Sequence, residues 1–429
     1  MRNKNTYRIV TGAKRIGRNK LLILIPLIYL IIVGILSYMG KEFLITLNKP
    51  FSSGLFKWIF LIFMVEIAII GLMLVLIALG TPVKSKEIEN ELSEIEFANR
   101  KGIPPTLISK TREKNGWIYE FYSPRLPLYQ YENHSKDIEN ALDIKIISIE
   151  FGQSMRHVII KAIDFARRSQ ETIMWKDTYL SSDDFKLKLG ESYFGDESFD
   201  LAVTPHVLVG GGSGSGKSKL LKLLLIQCIK KGAMIYLADF KGGIDYPKIW
   251  HDKCSIIVDA KKLLDQLSKI LEILEERRTQ FVKSEASNIS EHNLITGSNM
   301  KRIIVACDEI AELLDKTGLD KDEKDLISKI ESKFTTIARL GRAFGIHLIL
   351  ATQRPDADVI KGQIKNNIGM RICGRADKVL SQIILDNTDG ADKISSNDQG
   401  MFLTNSRVLF KAYYVDDNYL EEHDYCFNI

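Results

Sequence analysis

Gly211-Gly212-Ser213-Gly214-Ser215-Gly216-Lys217-Ser218 spells G-x-x-x-x-G-K-[ST], the spacing of a loop that binds nucleotide phosphates. Glycines let backbone N–H groups curl around phosphate oxygens, and a helix opening at the loop adds a favourable field. Lys217 is expected to reach the β- and γ-phosphates of ATP and the Ser218 hydroxyl to bind Mg²⁺, with the nucleotide-binding stretch running through Lys219. A chance Gly/Ser linker would not need Lys-Ser in register.

About 90 residues later an apolar run ends in Asp308-Glu309. One acid after such a strand can hold the Mg²⁺ shell, the role expected of Asp308. A second can take a proton from the attacking water, the role expected of Glu309, and that separates a hydrolase from a mere nucleotide binder. A third apolar run ends in Thr352-Gln353-Arg354-Pro355, which would bring Gln353 near the γ-phosphate to orient water. Arg339 and Arg342 lie just before that run. Either could act in trans on a neighbouring subunit's nucleotide, or form a surface salt bridge.

These residues need a parallel sheet to carry them. Strands are expected at 206–209, 303–307 and 346–351, with a helix over 220–229. The fold class is therefore α/β, a P-loop motor core. Two apolar stretches, 21–39 and 58–79, precede it, each long enough to span a bilayer. The first has no small-x-small cleavage site of a signal peptide. Arg2, Lys4, Arg8, Lys14, Arg15, Arg18 and Lys20 precede the first stretch, and Lys84 and Lys86 follow the second. Lys41, Lys49 and Lys57 in the loop between are fewer, so both termini are expected in the cytoplasm and the protein in the cell membrane as a multi-pass chain. Glu66 stands within the second stretch, either against a partner or neutral near an interface.

The organisation expected is a basic N-terminus at 1–20, spans at 21–39 and 58–80 around an external loop at 40–57, and a juxtamembrane helix and linker at 81–105. A small α/β domain and its linker follow at 106–188, and the motor at 189–429. The small domain should hold strands at 107–109 and 117–122, a helix at 136–142 and a hairpin at 144–151 and 157–162. Its aromatic residues read as core and interface. The polar stretch 165–198 reads as a linker, and the Ser/Asn-rich stretch 283–299 as a flexible loop. Over 429 residues the net charge is only +5, which neither implies nor excludes nucleic acid, since a motor can keep its positive charge in a channel. The five cysteines, Cys228, Cys254, Cys307, Cys373 and Cys426, form no CxxC pair, which argues against a zinc site or a disulfide framework.

From about residue 189 to 417 the chain resembles the FtsK/SpoIIIE DNA translocases. The GGGSGSGKS loop has that family's shape, as does Asp239-Phe240-Lys241-Gly242-Gly243. The most specific match is RLGRAFGIHLILATQRPDADVIKGQIKNNIGMRI, then ILDNTDGADK, then Gly400-Met401-Phe402. The resemblance implies a RecA-like core, a hexameric ring around DNA and ATP sites between subunits, with Lys217, Ser218, Asp308, Glu309 and Gln353 in the roles given above. It makes Arg342 and Arg375 candidates for the neighbour's nucleotide. Lys361, Lys365 and Arg371 become candidates for DNA phosphates or the interface. Chromosome-segregating members look different, with about four spans, a long linker and a winged-helix module. This chain, as expected from its last motor strands, leaves no room for such a module after Tyr413. It looks more like the FtsK-type coupling proteins of conjugative elements, which implies a relaxase and conjugation channel proteins as partners. Segregation, type VII protein secretion and a cargo-free nucleotide sensor are the competing readings.

Overall fold

The computed structural model describes residues 4–46, 54–164, 171–353 and 362–423 and divides into two units, 1–168 and 169–429. Arg2, Lys49, Arg354, Pro355, Lys361 and Cys426 lie outside the described residues.

In the first unit, helices α1 (Lys4–Arg18), α2 (Leu24–Thr46), α3 (Gly54–Gly80) and α4 (Ser85–Glu94) precede four strands. These are β1 (Thr106–Glu113), β2 (Gly116–Tyr122), β3 (Ile144–Phe151) and β4 (His157–Asp164), antiparallel in the order β1-β2-β4-β3. The stretches Lys20–Glu42 and Trp58–Gly80 are 23 residues each, long and apolar enough to cross a membrane, and almost wholly exposed. Apolar on every side and uncovered by protein, they suit hydrocarbon rather than a packed core. Glu66 is exposed on α3.

The basic N-terminal stretch folds as α1 and packs on the end of α3. Gly12 comes so near that a Cβ there would lie 2.1 Å from the Leu76 carbonyl oxygen. Arg15 donates to the Leu79 carbonyl at 2.8 Å, in the last turn of α3, where carbonyls lack helical partners and a cation is favoured. Arg8 donates to Ser85 Oγ at 2.9 Å and meets the buried Glu89 at 3.4 Å; Glu89 also accepts from the Leu107 N–H at 3.2 Å. Tyr7 stacks on Tyr122 and places its hydroxyl 2.7 Å from His157 Nε2. One helix thus joins α3, α4 and the small sheet. The expected juxtamembrane helix is α4, whose Ile88 and Leu92 enter the core of the small sheet with Leu107, Phe121 and Tyr131.

The second unit contains β5 (Ile173–Met174), β6 (Lys186–Ser192), β7 (Asp196–Asp200), β8 (Val207–Gly210), β9 (Met234–Ala238), β10 (Ser255–Ile257), β11 (Ile303–Cys307), β12 (Ile346–Thr352), β13 (Met370–Cys373), β14 (Met401–Thr404) and β15 (Leu409–Tyr414). They form one 11-stranded sheet in the order β10-β9-β11-β12-β8-β13-β14-β15-β6-β7, with β5 beside β15. From β10 to β13 the strands are parallel, and from β13 to β7 they are antiparallel, while β5 runs parallel to β15. Every residue of β11 and β12 is buried, as expected for parallel strands covered on both faces.

Two expectations are corrected here. Much of the stretch read as a linker is motor sheet: β6 pairs with β15, and Leu187 and Leu189 are fully buried. A motor boundary at 189 would cut through β6. Charged residues alternate with the buried leucines, which gave the strand the look of a polar connection. Gly190 is required there, because a Cβ would lie 2.0 Å from the Lys411 carbonyl oxygen. The Ser/Asn-rich stretch holds the helix Ile289–Thr296. Asn288 caps its start through the Glu291 N–H, and Gly297 ends it at φ 68°, so the polar residues serve as helix ends.

Beneath the sheet, His206 is fully buried: its Nδ1 accepts from the Leu348 N–H and its Nε2 donates to the Ala338 carbonyl, both at 3.0 Å. Burial pushes its titration from 6.5 down to about 4, and the bond to Ala338 opposes this only in part. His347 is shifted the same way, by burial and then by Arg302. Between pH 6.5 and 4 the unfolded imidazole holds a proton that the folded one refuses. This contribution is complete above pH 6.5 and is lost as pH falls toward 4. Thermal melts should therefore show Tm falling through that window. His206→Gln should start lower, having lost the fitted imidazole, and decline less steeply.

Candidate nucleotide site

Strand order builds the site. Because β12 lies between β8 and β11, the loops leaving β8, β12, β11 and β9 all open at the carboxyl edge of the sheet, where α/β folds hold ligands. The loop after β8 curls through Gly214 at φ 73° and Gly216 at φ 96°, backbone that side chains resist. Three segments brace it, one at the end of β12, one just after β13 and one just before β14. The Gly211 N–H donates to the Thr352 carbonyl at 3.2 Å, the Gly212 N–H to the Arg375 carbonyl at 2.7 Å, and the Gly400 N–H to the Ser215 carbonyl at 2.9 Å. The helix Lys217–Lys230 then begins at the loop's end.

Three charged residues share the crevice, each less than a tenth exposed: Lys217, Asp308 and Glu309. Lys217 Nζ donates to the Asp308 carbonyl at 2.7 Å and stands 3.4 Å from Asp308 Oδ1 and 3.9 Å from Glu309 Oε2. Ser218 Oγ lies 3.5 Å from Asp308 Oδ1. Glu309 accepts from Thr352 Oγ1 at 2.8 Å and from the Gln353 N–H at 2.9 Å. Residues far apart in sequence thereby converge on one point: Lys217, Ser218, Asp308, Glu309 and Gln353.

A second lysine joins them. Asp239 holds the loop after β9 by accepting from the N–H groups of Lys241 and Gly243, both at 3.0 Å. Lys241 Nζ stands 3.4 Å from Asp308 Oδ2, opposite Lys217. Burial works to lower the Lys241 ammonium, but Asp308 overrides it and the group ends above its ordinary value. In the sequence neither the Asp239–Gly243 motif nor the run ending at Thr352 marks Lys241 or the Thr352 side chain as part of the site.

The remaining candidates fall elsewhere. Lys219 turns away to Asp417 at 2.7 Å, and burial is outweighed by that carboxylate in raising its ammonium. Arg375 lies over its own subunit's loop, where its guanidinium donates to the Ser213 carbonyl and, at 2.7 Å, to the Ser396 carbonyl. Arg342 lies beyond the opposite, amino edge of β12 and donates to the Ala202 carbonyl at 3.2 Å. Lys365 and Arg371 both pair with Asp386, whose carboxyl is held below its usual range first by Lys365.

The model of the FtsK/SpoIIIE family matches residues 170–302. The chain is 30% identical to the DNA translocase SftA of Bacillus subtilis over 320 residues, 70% of this chain and 32% of that protein. It is 29% identical to the DNA translocase FtsK of Helicobacter pylori over 295 residues, 65% of this chain and 32% of the relative. Among solved structures it is similar to the pCW3 conjugation coupling protein TcpA, in a monomer form with ATPγS. That likeness is 35% identical, has a TM-score of 0.59, and covers 78% of this chain and 96% of the other. The chain belongs to the FtsK/SpoIIIE family. It spans about a third of the length of the translocases it matches. The family match begins at residue 170, ahead of the motor start expected at 189 and in step with β5 to β7 lying in the motor sheet.

Lys217 is the buried ammonium at the end of the phosphate loop. Lys217→Ala should weaken binding of a fluorescent ATP analogue by roughly 10–100-fold, the loss of one or two charge-assisted bonds. A fluorescence titration checks this.

Proposed function

We propose that this FtsK/SpoIIIE-family chain is a membrane-anchored ATPase that translocates DNA, acting as a coupling protein for a conjugative transfer channel. The observation that carries the hydrolytic part is the second carboxylate: Glu309 stands beside Asp308 and Lys217, all three buried. A binder of nucleotide has no need of it.

Lys217 exchanges its bonds with Asp308 for the β- and γ-phosphates of ATP. The loop's N–H groups hold those phosphates, and Glu309 accepts a proton from the attacking water. Gln353, at the end of β12, orients that water. The donor set fits Mg²⁺: the Ser218 hydroxyl and the Asp308 carboxylate are hard oxygens 3.5 Å apart. Among the described residues no group of three His, Cys, Asp or Glu could cage a metal unaided, and Mg²⁺ bound with phosphates needs none. When bound, Mg²⁺ neutralises charge developing on the phosphates.

Arg342 is exposed at the opposite edge of the sheet from its own nucleotide site, which suits a contribution to an adjacent subunit in a hexameric ring. Arg375, laid on its own loop, suits a role in cis. The two long apolar helices and their basic flanks support a bilayer anchor with the motor in the cytoplasm. Likeness to TcpA over nearly all of that structure favours conjugative transfer, with a relaxase and channel proteins as partners, over segregation. Phosphate contacts give a grip that ignores sequence and weakens with salt, as a motor on any DNA requires.

ATP hydrolysis by the full chain in lipid nanodiscs tests this, with and without duplex or single-stranded DNA, at two salt concentrations. Stimulation of several-fold by DNA is expected, fading with salt and absent in Glu309→Gln. Robust hydrolysis indifferent to both forms of DNA would remove DNA as the cargo.

A further inference from the structure

The general base needs aiming as well as placing, and the last residues of β12 surround it. Thr352 is 1% exposed, and its hydroxyl donates to Glu309 Oε1 at 2.8 Å. The next residue gives its N–H to Oε2 at 2.9 Å and to Oε1 at 3.2 Å. Both carboxylate oxygens are therefore engaged by one strand end. The same Thr352 supplies its carbonyl to the Gly211 N–H at the start of the phosphate loop. A single residue thus touches the general base with its side chain and the phosphate loop with its backbone.

We propose that Thr352 is a positioning residue for hydrolysis: its hydroxyl fixes the rotation of the Glu309 carboxylate so that an oxygen stays aimed at the attacking water. The proposal rests on Glu309 as the general base. Without the hydroxyl, the carboxylate keeps the Gln353 N–H and the attraction of Lys217 but is free to turn about that amide. Orientation errors of this kind slow proton transfer without loosening the grip on nucleotide. Thr352→Val suits the test because valine keeps the β-branched shape that fits a buried strand, along with the carbonyl that braces Gly211.

Steady-state hydrolysis by the full chain in nanodiscs, with titration of a fluorescent ATP analogue alongside, reads the effect. Thr352→Val should lower kcat on the order of 10-fold while KM and analogue affinity stay within about twofold. Thr352→Ser, which restores the hydroxyl, should recover most of the rate. Two results overturn the proposal: a wild-type kcat in Thr352→Val while Glu309→Gln is dead, or a loss of kcat and affinity together that serine does not rescue. Should Glu309→Gln itself hydrolyse ATP at the wild-type rate, the assignment of the base fails, and this inference with it.

Discussion

Buried charge must find a partner. Lys217, Asp308 and Glu309 are each less than a tenth exposed, and an isolated charge so placed would cost several kcal/mol. Lysine and carboxylates therefore satisfy one another, and Thr352 and the Gln353 N–H take the lone pairs that remain. Lys241 approaches the same Asp308 from its far side. This ring of opposite charges requires four strand ends to meet at one edge, and the rest of the motor unit serves that convergence. Parallel strands buried on both faces hold those ends in register.

Bracing extends outward from this point. The phosphate loop hangs from three points: the Thr352 carbonyl, the Arg375 carbonyl and the Gly400 N–H. Behind it, Lys219 and Lys222 of the following helix both reach Asp417, each at 2.7 Å. Lys222 also donates to the Asp245 carbonyl at 2.6 Å, in the stretch that follows Lys241. Loop, helix, the β9 turn and the segment after β15 are consequently tied by short polar contacts.

In the first unit a single helix performs the analogous task. Helix α1 makes its contacts by several means: a glycine for close approach to α3, an arginine on its terminal carbonyl, an ion pair to Glu89, and a tyrosine on the small sheet. In the sequence the basic residues at 2–20 stand as one topological signal; in the structure Arg8 and Arg15 also make contacts within the unit, while Lys14 remains exposed. A charge count along a sequence cannot tell these apart, because the division depends on which face of α1 meets α3.

The sequence by itself determined everything that local chemistry dictates. The glycine spacing before Lys217, the apolar runs of β11 and β12, the acids after β11 and the two long apolar stretches were all legible, because each is a short contiguous pattern. The family model matches residues 170–302, which hold the phosphate loop and the Asp239–Gly243 motif, while the Arg339–Asp392 part of the resemblance lies beyond them. Tertiary structure alone decided what depends on strand order and side-chain direction. It brought β12 between β8 and β11, so that Thr352 meets Glu309, and aimed Lys241 at Asp308. It paired Lys219 with Asp417, laid Arg375 on its own phosphate loop and drew β6 and β7 into the motor sheet. No one-dimensional pattern encodes these outcomes, because the residues involved are neighbours only across strands whose pairing is fixed by the packing of the whole sheet.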